Sequence, residues 1–266
     1  MKFLIRLDIQ PHKFGNLLPL NYQYELSSFI YRTLAQSDEQ YSGWLHENGY
    51  KADRKQFRLF SFSNLIIPEF KITDDRIRIL SARSGLIISF LPEKSTVEFV
   101  NGIFRNQSFT IGDRKSKVAF SVSSIEQLRD PDFSQHGEFV TLSPVCIMQK
   151  NERQKHPQYL SPQDEFSNAS LFMNLSDKYR AFYNIPYAGD AHFELTVRNR
   201  PHSKLITIKR DTPQQTSIKG YNFSFGISAS PELKFLMYHT GLGQKNSMGF
   251  GCVLTKDQYE EVRNKL

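Results

Sequence analysis

The segment that most constrains the fold of this chain lies near its end, at residues 241–251. It reads Gly241-Leu242-Gly243-Gln244-Lys245-Asn246-Ser247-Met248-Gly249-Phe250-Gly251. Glycine adopts a positive φ at no steric cost and lets a second backbone approach closely. Such a loop can turn several N–H groups toward one anion. From these residues alone, an ordinary glycine-rich turn explains the segment as well as a phosphate site does.

The residues on either side predict a helix before this loop and a strand after it. Ser230 suits the N-cap, Pro231 suits the first helical position, and Gly241 is a good residue for a helix to end on. Residues 250–255 have the composition of a short strand. The loop is neither a nucleotide-triphosphate P-loop nor a dinucleotide fingerprint, because its glycine spacing differs from both patterns.

Composition favours a globular protein, and the net charge is compatible with an acidic partner without requiring one. The chain has 266 residues, of which 39% are hydrophobic and 13% aromatic, enough to form packed cores. Its formal net charge is +7 at pH 7, which fits an acidic partner but is also common in proteins that bind no nucleic acid. Charges interrupt the first eight positions, and no apolar run reaches the length of a membrane span. We therefore expect a soluble, cytoplasmic protein with no membrane partner.

The cysteine and histidine patterns give no reason to expect a disulfide framework or a metal site. Cys146 and Cys252 stand far apart, without paired spacing. The seven histidines show no ligand spacing, and Asp74 and Asp75 fall in a predicted turn. We predict no metal and no cofactor.

The order of the predicted elements indicates two similar units in tandem. The first unit begins with a strand over 1–10, a helix over 24–36 and a short helix over 39–48. Residues 76–80 and 86–90 are predicted to pair as a hairpin.

A further helix opens at Pro92 and is expected to stop at Gly102, the same spacing as from Pro231 to Gly241. This spacing suggests an internal duplication, although two helices of equal length can also arise by chance. After a linker at 129–137, strands are predicted over 138–149 and, with clean alternation, over 221–228.

We therefore predict an α+β fold of two tandem ferredoxin-like (RRM-like) β-α-β-β-α-β modules, at residues 1–128 and 138–266.

Three side chains on or near the first two helices could carry chemistry. Tyr31 lies about 140° around its helix from Leu26, outside the apolar stripe. His46 falls at the C-terminal end of the next helix, where the helix dipole favours a protonated imidazole. Lys51 begins a charged segment. From spacing alone, an ordinary surface position explains each of them better than a catalytic role.

The glycine-rich segment resembles the C-terminal loop of the RAMP superfamily. It is most similar to the CRISPR-associated endoribonucleases that cut precursor CRISPR RNA within its repeats. The match covers the order glycine, hydrophobic residue, glycine, a short polar run and then Met248-Gly249-Phe250-Gly251, together with the preceding Pro231-Glu232-Leu233. The resemblance implies the same tandem architecture over nearly the whole chain.

The resemblance also implies a reaction and residues for it. Members of the family often carry a tyrosine, a histidine and a lysine in the order of Tyr31, His46 and Lys51. In the implied reaction an RNA 2′-hydroxyl attacks the adjacent phosphate without a metal, leaving a 2′,3′-cyclic phosphate and a 5′-hydroxyl. His46 would act as general base or acid, Tyr31 would orient the 2′-oxygen, and Lys51 would stabilise the phosphorane.

The partner implied is CRISPR repeat RNA, with other Cas proteins of an effector complex and a homodimer as further expectations. RNA contacts are expected from the glycine-rich loop and from a basic hairpin of the second half. These residues are Gly241, Gly243, Lys245, Asn246, Ser247, Gly249, Arg198, Arg200, Lys204, Lys209 and Arg210. Without the resemblance, the hairpin residues would be interpreted as a solubilising rim.

Two other functions fit the sequence. A non-catalytic RNA-binding subunit of the same superfamily would share the fold and the glycine-rich loop. An enzyme for a small phosphorylated ligand would need a compact apolar pocket that the sequence does not indicate. The first of these differs from the endoribonuclease only in whether Tyr31, His46 and Lys51 meet at one phosphate.

Overall fold

Strand β1 (Lys2–Ile9) divides its side chains between two hydrophobic cores, because successive residues of a strand point to opposite faces. Phe3, Ile5 and Leu7 belong to the core of the first half, whereas Leu4 belongs to the core of the second half. The computed structural model describes residues 1–149, 157–208 and 212–266. None of the helices in these ranges combines the length and the apolar character needed to cross a membrane.

In the first half, the elements after β1 are α1 (Pro11–Phe14), β2 (Leu17–Pro19), α2 (Gln23–Ser37), α3 (Glu39–Glu47), β3 (Tyr50–Ala52), β4 (Lys55–Phe57), β5 (Phe60–Phe62), β6 (Phe70–Thr73), β7 (Arg76–Ile79), β8 (Arg83–Phe90), α4 (Glu93–Arg105), β9 (Ser108–Gly112) and β10 (Lys117–Leu128).

In the second half, the elements are β11 (Gly137–Thr141), β12 (Met148–Gln149), β13 (Gln158–Tyr159), α5 (Ser167–Tyr183), β14 (Phe193–Val197), β15 (His202–Ile208), β16 (Thr216–Asn222), β17 (Ser224–Ala229), α6 (Pro231–Thr240), a 3₁₀ turn (Asn246–Met248), β18 (Val253–Thr255) and α7 (Lys256–Asn264).

Each half is built on an antiparallel sheet with the same arrangement of its main strands. The first sheet has the order β5-β8-β1-β10-β9, and the second has the order β14-β17-β11-β18. The four main strands are β1, β5, β8 and β10 in the first half and β11, β14, β17 and β18 in the second. Numbered along the chain within each half, they lie in the spatial order second, third, first, fourth. A helix packs after the first and after the third of them: α2 and α4 in one half, α5 and α6 in the other. The fold is thus mixed α and β with antiparallel sheets.

The second half covers the face of the first sheet that α2 and α4 leave free. The buried Lys2 donates from Nζ to the carbonyl of Val253 (2.5 Å) and lies 3.7 Å from the ring centroid of Tyr238. The hydroxyl of Ser89 on β8 donates to the carbonyl of His239 on α6 (2.9 Å). Burial lowers the pKa of Lys2 to about 8. At the contact between the halves, Lys2 and Ser89 of the first half therefore each donate a hydrogen bond to a carbonyl of the second half.

The helices predicted at the start and end of the chain are confirmed. α2 and α3 occupy nearly the predicted ranges. α6 begins at Pro231, and the hydroxyl of its N-cap Ser230 accepts from the amide of Leu233 (3.3 Å). The capping box of Thr255 and Gln258 starts α7, which the sequence analysis missed.

Several predicted elements are wrong in pairing or extent. The predicted hairpin of residues 76–80 and 86–90 does not form, because β7 pairs with β2 and β6 while β8 pairs with β5 and β1. Residues 138–149 form two short strands instead of one. The alternating run at 221–228 is interrupted at Phe223, which separates β16 from β17.

Gly102 lies inside α4 and does not end it, which corrects the predicted stop. A Cβ at this position would overlap the backbone carbonyl of Thr33 on α2. Glycine is therefore needed because the two helices cross closely, and the equal spacing of the two Pro-to-Gly helices does not reflect equal helix ends.

We predict that Gly102→Ala lowers the free energy of unfolding by about 1–3 kcal/mol, because the added methyl group forces α2 and α4 apart. Urea denaturation followed by circular dichroism measures this change. Gly43→Ala is the matched control: Gly43 lies inside α3 with open space around its Cβ, and alanine there should stabilise by about 0.5–1 kcal/mol. Equal effects of the two substitutions would contradict the crossing argument.

Candidate functional site

Tyr31, in the middle of α2, and His46, in the last turn of α3, lie side by side. Asp38, the N-cap of α3, accepts from the amide of Tyr41 (2.8 Å) and turns the chain between α2 and α3. Ser42 on α3 then donates to the carbonyl of Tyr31 on α2 (2.9 Å). In this arrangement the rings of Tyr31 and His46 lie edge to face, with centroids 5.0 Å apart and planes at 85°. The structure brings together two of the three predicted catalytic residues.

The phenol of Tyr31 lies among polar groups from distant parts of the chain. The Ser247 hydroxyl, from the glycine-rich loop, and the Arg58 guanidinium both lie near it and lower its pKa. Burial is the largest effect and raises the pKa of Tyr31 above its ordinary value, although the Arg58 charge and the nearby Ser247 act in the opposite direction. At neutral pH this phenol is therefore protonated and can donate a hydrogen bond, while the exposed His46 ring is open to a ligand.

Lys51 lies at the same end of α3 as His46 but is not joined to either ring. It is the middle residue of β3 and is exposed, with its Nζ 3.5 Å from Oδ1 of Asn48. Within the described ranges, no hydrogen bond or ion pair connects Lys51 to Tyr31 or His46. A bound ligand must bridge this gap if Lys51 acts in the same site.

Arg58 is a site residue that the sequence analysis missed. It lies directly after β4, and its Nη2 donates to the carbonyls of His46 and, at 3.4 Å, Glu47. The sequence offered a hint, because Arg58 is one more cation in the segment that follows His46. Its partners are backbone carbonyls, which no residue pattern reveals.

The glycine-rich loop is tightly built into the protein. Gly241, Gly243, Gly249 and Gly251 all have positive φ. A Cβ at Gly243 or Gly251 would overlap the backbone carbonyl of Cys146 or Leu242, respectively. The loop therefore needs glycine for close backbone contacts as well as for its turns.

Side chains hold the loop from inside and from outside. Nδ2 of Asn246 donates to the carbonyls of Leu242 (3.3 Å) and Phe250 (3.0 Å), so both amide protons are used within the loop. Lys178 of α5, only 2% exposed, donates from Nζ to the carbonyls of Gly241 (2.7 Å) and Gly243 (3.1 Å). Burial lowers the pKa of Lys178 to about 7. The sequence analysis missed Lys178.

The tip of the loop lies against the helix that carries Tyr31. The hydroxyl of Ser27 on α2 donates to the carbonyl of Ser247 (2.7 Å), and Gly249 lies against Gln23. Lys245 is exposed and has a left-handed backbone conformation (φ 62°, ψ 28°). The loop thus places the Ser247 hydroxyl near Tyr31, and the exposed Lys245 lies two residues before Ser247 in sequence.

The predicted basic hairpin does not form, because β14 pairs with β17 and β15 pairs with β16, and its cations are only partly available to a ligand. Arg198 is paired with Glu138 across the second sheet, with Nη2 2.8 Å from Oε1. Arg200 is exposed, and Lys204 is half-buried with a pKa lowered by burial. Lys209 and Arg210 lie outside the described residues. In residues 1–149, 157–208 and 212–266, no three His, Cys, Asp or Glu side chains form a group that could hold a metal ion.

Two family models match the chain. "CRISPR associated protein Cas6, C-terminal" matches residues 128–254, and "CRISPR-associated protein Cas6, N-terminal" matches residues 17–126. Together they span nearly the whole chain.

The chain is similar to proteins of Methanocaldococcus jannaschii and Pyrococcus furiosus. The chain is 29% identical over 265 residues to "CRISPR-associated endoribonuclease Cas6 1" of Methanocaldococcus jannaschii, covering 98% of this chain and 96% of the relative. It is 28% identical over 254 residues to a "putative CRISPR-associated endoribonuclease-like protein Cas6" of Pyrococcus furiosus, covering 94% of this chain and 97% of the relative. A solved structure titled "Characterization of a Cas6-related gene from Pyrococcus furiosus" shares the fold, with a TM-score of 0.82 and 24% identity over 97% of this chain and 99% of the other.

We predict that the stability contributed by Lys178 depends on pH. The pKa of Lys178 is about 7 in the folded protein and ordinarily about 10.4 in an unfolded chain, so between these values the unfolded chain holds the extra proton. Stability then rises with pH through this window, and the cost of burying the charge is fully present below about pH 7. The difference in unfolding free energy between wild type and Lys178→Met should increase by about 2 kcal/mol from pH 7 to pH 9.

Urea denaturation at pH 7, 8 and 9 measures this difference. Lys256→Met, which removes an exposed lysine at the start of α7, is the control and should show no such increase. A difference between wild type and Lys178→Met that stays constant over this range would contradict the prediction.

Proposed function

Because the chain belongs to the Cas6 family of CRISPR-associated proteins, we propose that it is an endoribonuclease that cleaves CRISPR repeat RNA and so matures crRNA. The observation that carries the proposal is the meeting of Tyr31, His46 and Ser247 at one place. A protonated phenol, an exposed imidazole and a loop hydroxyl form a small polar site at the surface. Two cations are close in sequence to these residues: Lys51 follows His46, and Lys245 precedes Ser247. This set suits a phosphodiester better than an apolar ligand.

We also propose that each half is a ferredoxin-like β-α-β-β-α-β module, at residues 1–128 and 138–266. The strand order second, third, first, fourth in both sheets supports this assignment. The site lies where the first helices of one module meet the glycine-rich loop of the other. Cleavage would therefore require both modules.

The proposed reaction uses the 2′-hydroxyl of the RNA as its nucleophile. The 2′-oxygen forms a bond to the adjacent phosphorus, and the bond from phosphorus to the 5′-oxygen breaks. One proton leaves the 2′-hydroxyl and one reaches the 5′-oxygen, which gives a 2′,3′-cyclic phosphate and a 5′-hydroxyl. Because the nucleophile belongs to the substrate, no metal-bound water is needed.

Each protein group has a distinct role in this reaction. Histidine exchanges protons near neutral pH, so His46 is the proposed general base or acid. The protonated phenol of Tyr31 donates a hydrogen bond that orients the 2′-oxygen or the phosphate. Lys51 is proposed to stabilise the charge of the phosphorane once RNA is bound.

The alternative is a non-catalytic RNA-binding protein of an effector complex. The separation of Lys51 from the two rings favours it, as does the name "endoribonuclease-like" of one relative at nearly the same identity as the endoribonuclease. Other Cas proteins and a homodimer also stay proposals taken from the resemblance.

We predict that wild type cleaves a cognate repeat RNA in EDTA and that His46→Ala lowers the single-turnover rate constant by about 10²–10⁴-fold, because proton transfer is lost. The RNA dissociation constant should change little, since His46 is one exposed ring at the edge of the site. Gel analysis of a labelled repeat RNA gives the rate, and product ends are identified by their resistance to ligation and by mass.

A substrate with one 2′-deoxy sugar at the cut is the chemical control, and it should bind without being cut. Cleavage of this substrate would exclude the 2′-hydroxyl mechanism. If wild type binds every repeat RNA offered and cuts none, the non-catalytic alternative is correct.

We predict that Lys245→Met weakens RNA binding and lowers the slope of log K against log salt by about 0.7, as expected for the loss of one phosphate contact with a single strand. Lys245 is exposed at the tip of the loop, whereas Arg198 is already paired with Glu138. Arg198→Gln should therefore change the slope less than Lys245→Met. Filter binding at 50–300 mM salt measures both, and the reverse order of effects would contradict the prediction.

A further inference from the structure

The backbone after α3 is folded so that Arg58 lies against the end of that helix. Gly49 has a positive φ of 58°, and a Cβ there would lie 2.5 Å from the carbonyl oxygen of Phe57 and 3.3 Å from Cδ of Arg58. The hairpin of β3 and β4 then returns the chain to the helix that it has just left. Glycine at position 49 thus allows Arg58 to approach the last turn of α3.

The Arg58 guanidinium bonds to carbonyls that the helix leaves without partners. The last four carbonyls of a helix have no intrahelical amide, and together they carry a partial negative charge. Trp44 accepts from the amides of Asn48 and Gly49, while Nη2 of Arg58 donates to His46 and, at 3.4 Å, to Glu47. Arg58 therefore fixes the backbone of the residue that carries the imidazole.

The charge of the same guanidinium lowers the pKa of Tyr31, so the guanidinium also lies near that phenol. The Tyr31 ring in turn lies edge to face with the His46 ring. Arg58 therefore lies near the hydroxyl of one ring and binds the backbone of the residue that carries the other. Arginine suits this position because its planar guanidinium presents several donors in a fixed geometry, which lysine cannot do.

We propose that Arg58 is a positioning residue for RNA cleavage, which sets the distance and angle between the Tyr31 phenol and the His46 imidazole. The inference rests on the proposed function and goes beyond it, because it assigns a task to a residue outside the set of Tyr31, His46 and Lys51. A small error in the relative placement of two reacting groups lowers a rate steeply, on the order of 10²-fold for about 1 Å.

A matched control exists elsewhere in the fold. Nη1 of Arg105 donates to the carbonyl of Gln36 in the last turn of α2. Like Arg58, Arg105 is distant in sequence from the helix and gives a hydrogen bond to a carbonyl at its C-terminal end. Arg105 has no role in the site. If Arg58 only satisfied a helix end, Arg58→Gln and Arg105→Gln would have similar consequences.

The experiment compares Arg58→Gln, Arg58→Lys and Arg105→Gln with wild type in single-turnover cleavage of a repeat RNA. We expect Arg58→Gln to lower the rate constant about 10²-fold while the RNA dissociation constant changes less than about threefold. Arg58→Lys keeps the charge but not the fixed geometry, and it should stay at least about tenfold below wild type. Arg105→Gln should cleave at the wild-type rate.

A second measurement follows the geometry directly, without RNA. The Tyr31 ring shifts the NMR resonances of the His46 ring through its ring current, because the rings lie edge to face. With selectively labelled histidine, this shift should be lost in Arg58→Gln and Arg58→Lys and kept in Arg105→Gln. Tyr31→Phe, which keeps the ring but removes the hydroxyl that Arg58 contacts, should reduce the shift.

The outcomes separate this inference from the proposed function. If wild type cuts no RNA, the proposed function fails, and the NMR shift still decides whether Arg58 sets the geometry. If wild type cuts while Arg58→Gln cuts within threefold of it and keeps the shift, the inference fails alone. Full activity of Arg58→Lys would show that charge suffices, and it would overturn the positioning role.

Discussion

The structure depends on a backbone that approaches its neighbours more closely than side chains would allow. Gly243 and Gly251 place the C-terminal loop against carbonyls of its own half, and the buried Lys178 binds two further carbonyls from inside. A buried ammonium without partners costs several kcal/mol, so its bonds to the loop are needed to hold that charge in the interior. The shape of the loop then determines where Ser247 lies, and Ser247 lies against α2 of the other half, near the phenol of Tyr31.

The His46 side of the site is also attached to the second half. Arg180 on α5 makes two bonds to the carboxylate of Asp53 (2.7 and 2.8 Å), between β3 and β4. A second ion pair joins β4 to α5, and the ring of Tyr50 lies 5.8 Å from that of Phe182. Exposed ion pairs contribute only about 0–1 kcal/mol each, so the aromatic contact and the number of attachments matter more than any single pair. Both ends of the site are thus held by the same partner half.

Local patterns predicted α2, α3, α6 and the position of His46 well, because caps and apolar spacing depend on a few neighbouring residues. Gly102 was assigned wrongly because glycine serves both at helix ends and at close helix crossings, and only the partner helix distinguishes them. Strand pairing failed for β7 because its partners are β6, which directly precedes it, and the distant β2, and neither of these was predicted as a strand at that position. Arg58 and Lys178 were missed for a related reason: their partners are backbone carbonyls, which are the same for every residue type.

The contact between Ser27 and Ser247 joins residues 220 positions apart. During synthesis the helices that carry Tyr31 and His46 leave the ribosome long before the glycine-rich loop does. Domains generally fold as units from the N-terminus while the chain is still growing, so the first half can form its sheet early. The candidate site then stays incomplete until residues 241–251 have emerged. A nascent chain therefore holds Tyr31 and His46 without Ser247 beside them, and the order of synthesis itself delays completion of the candidate site.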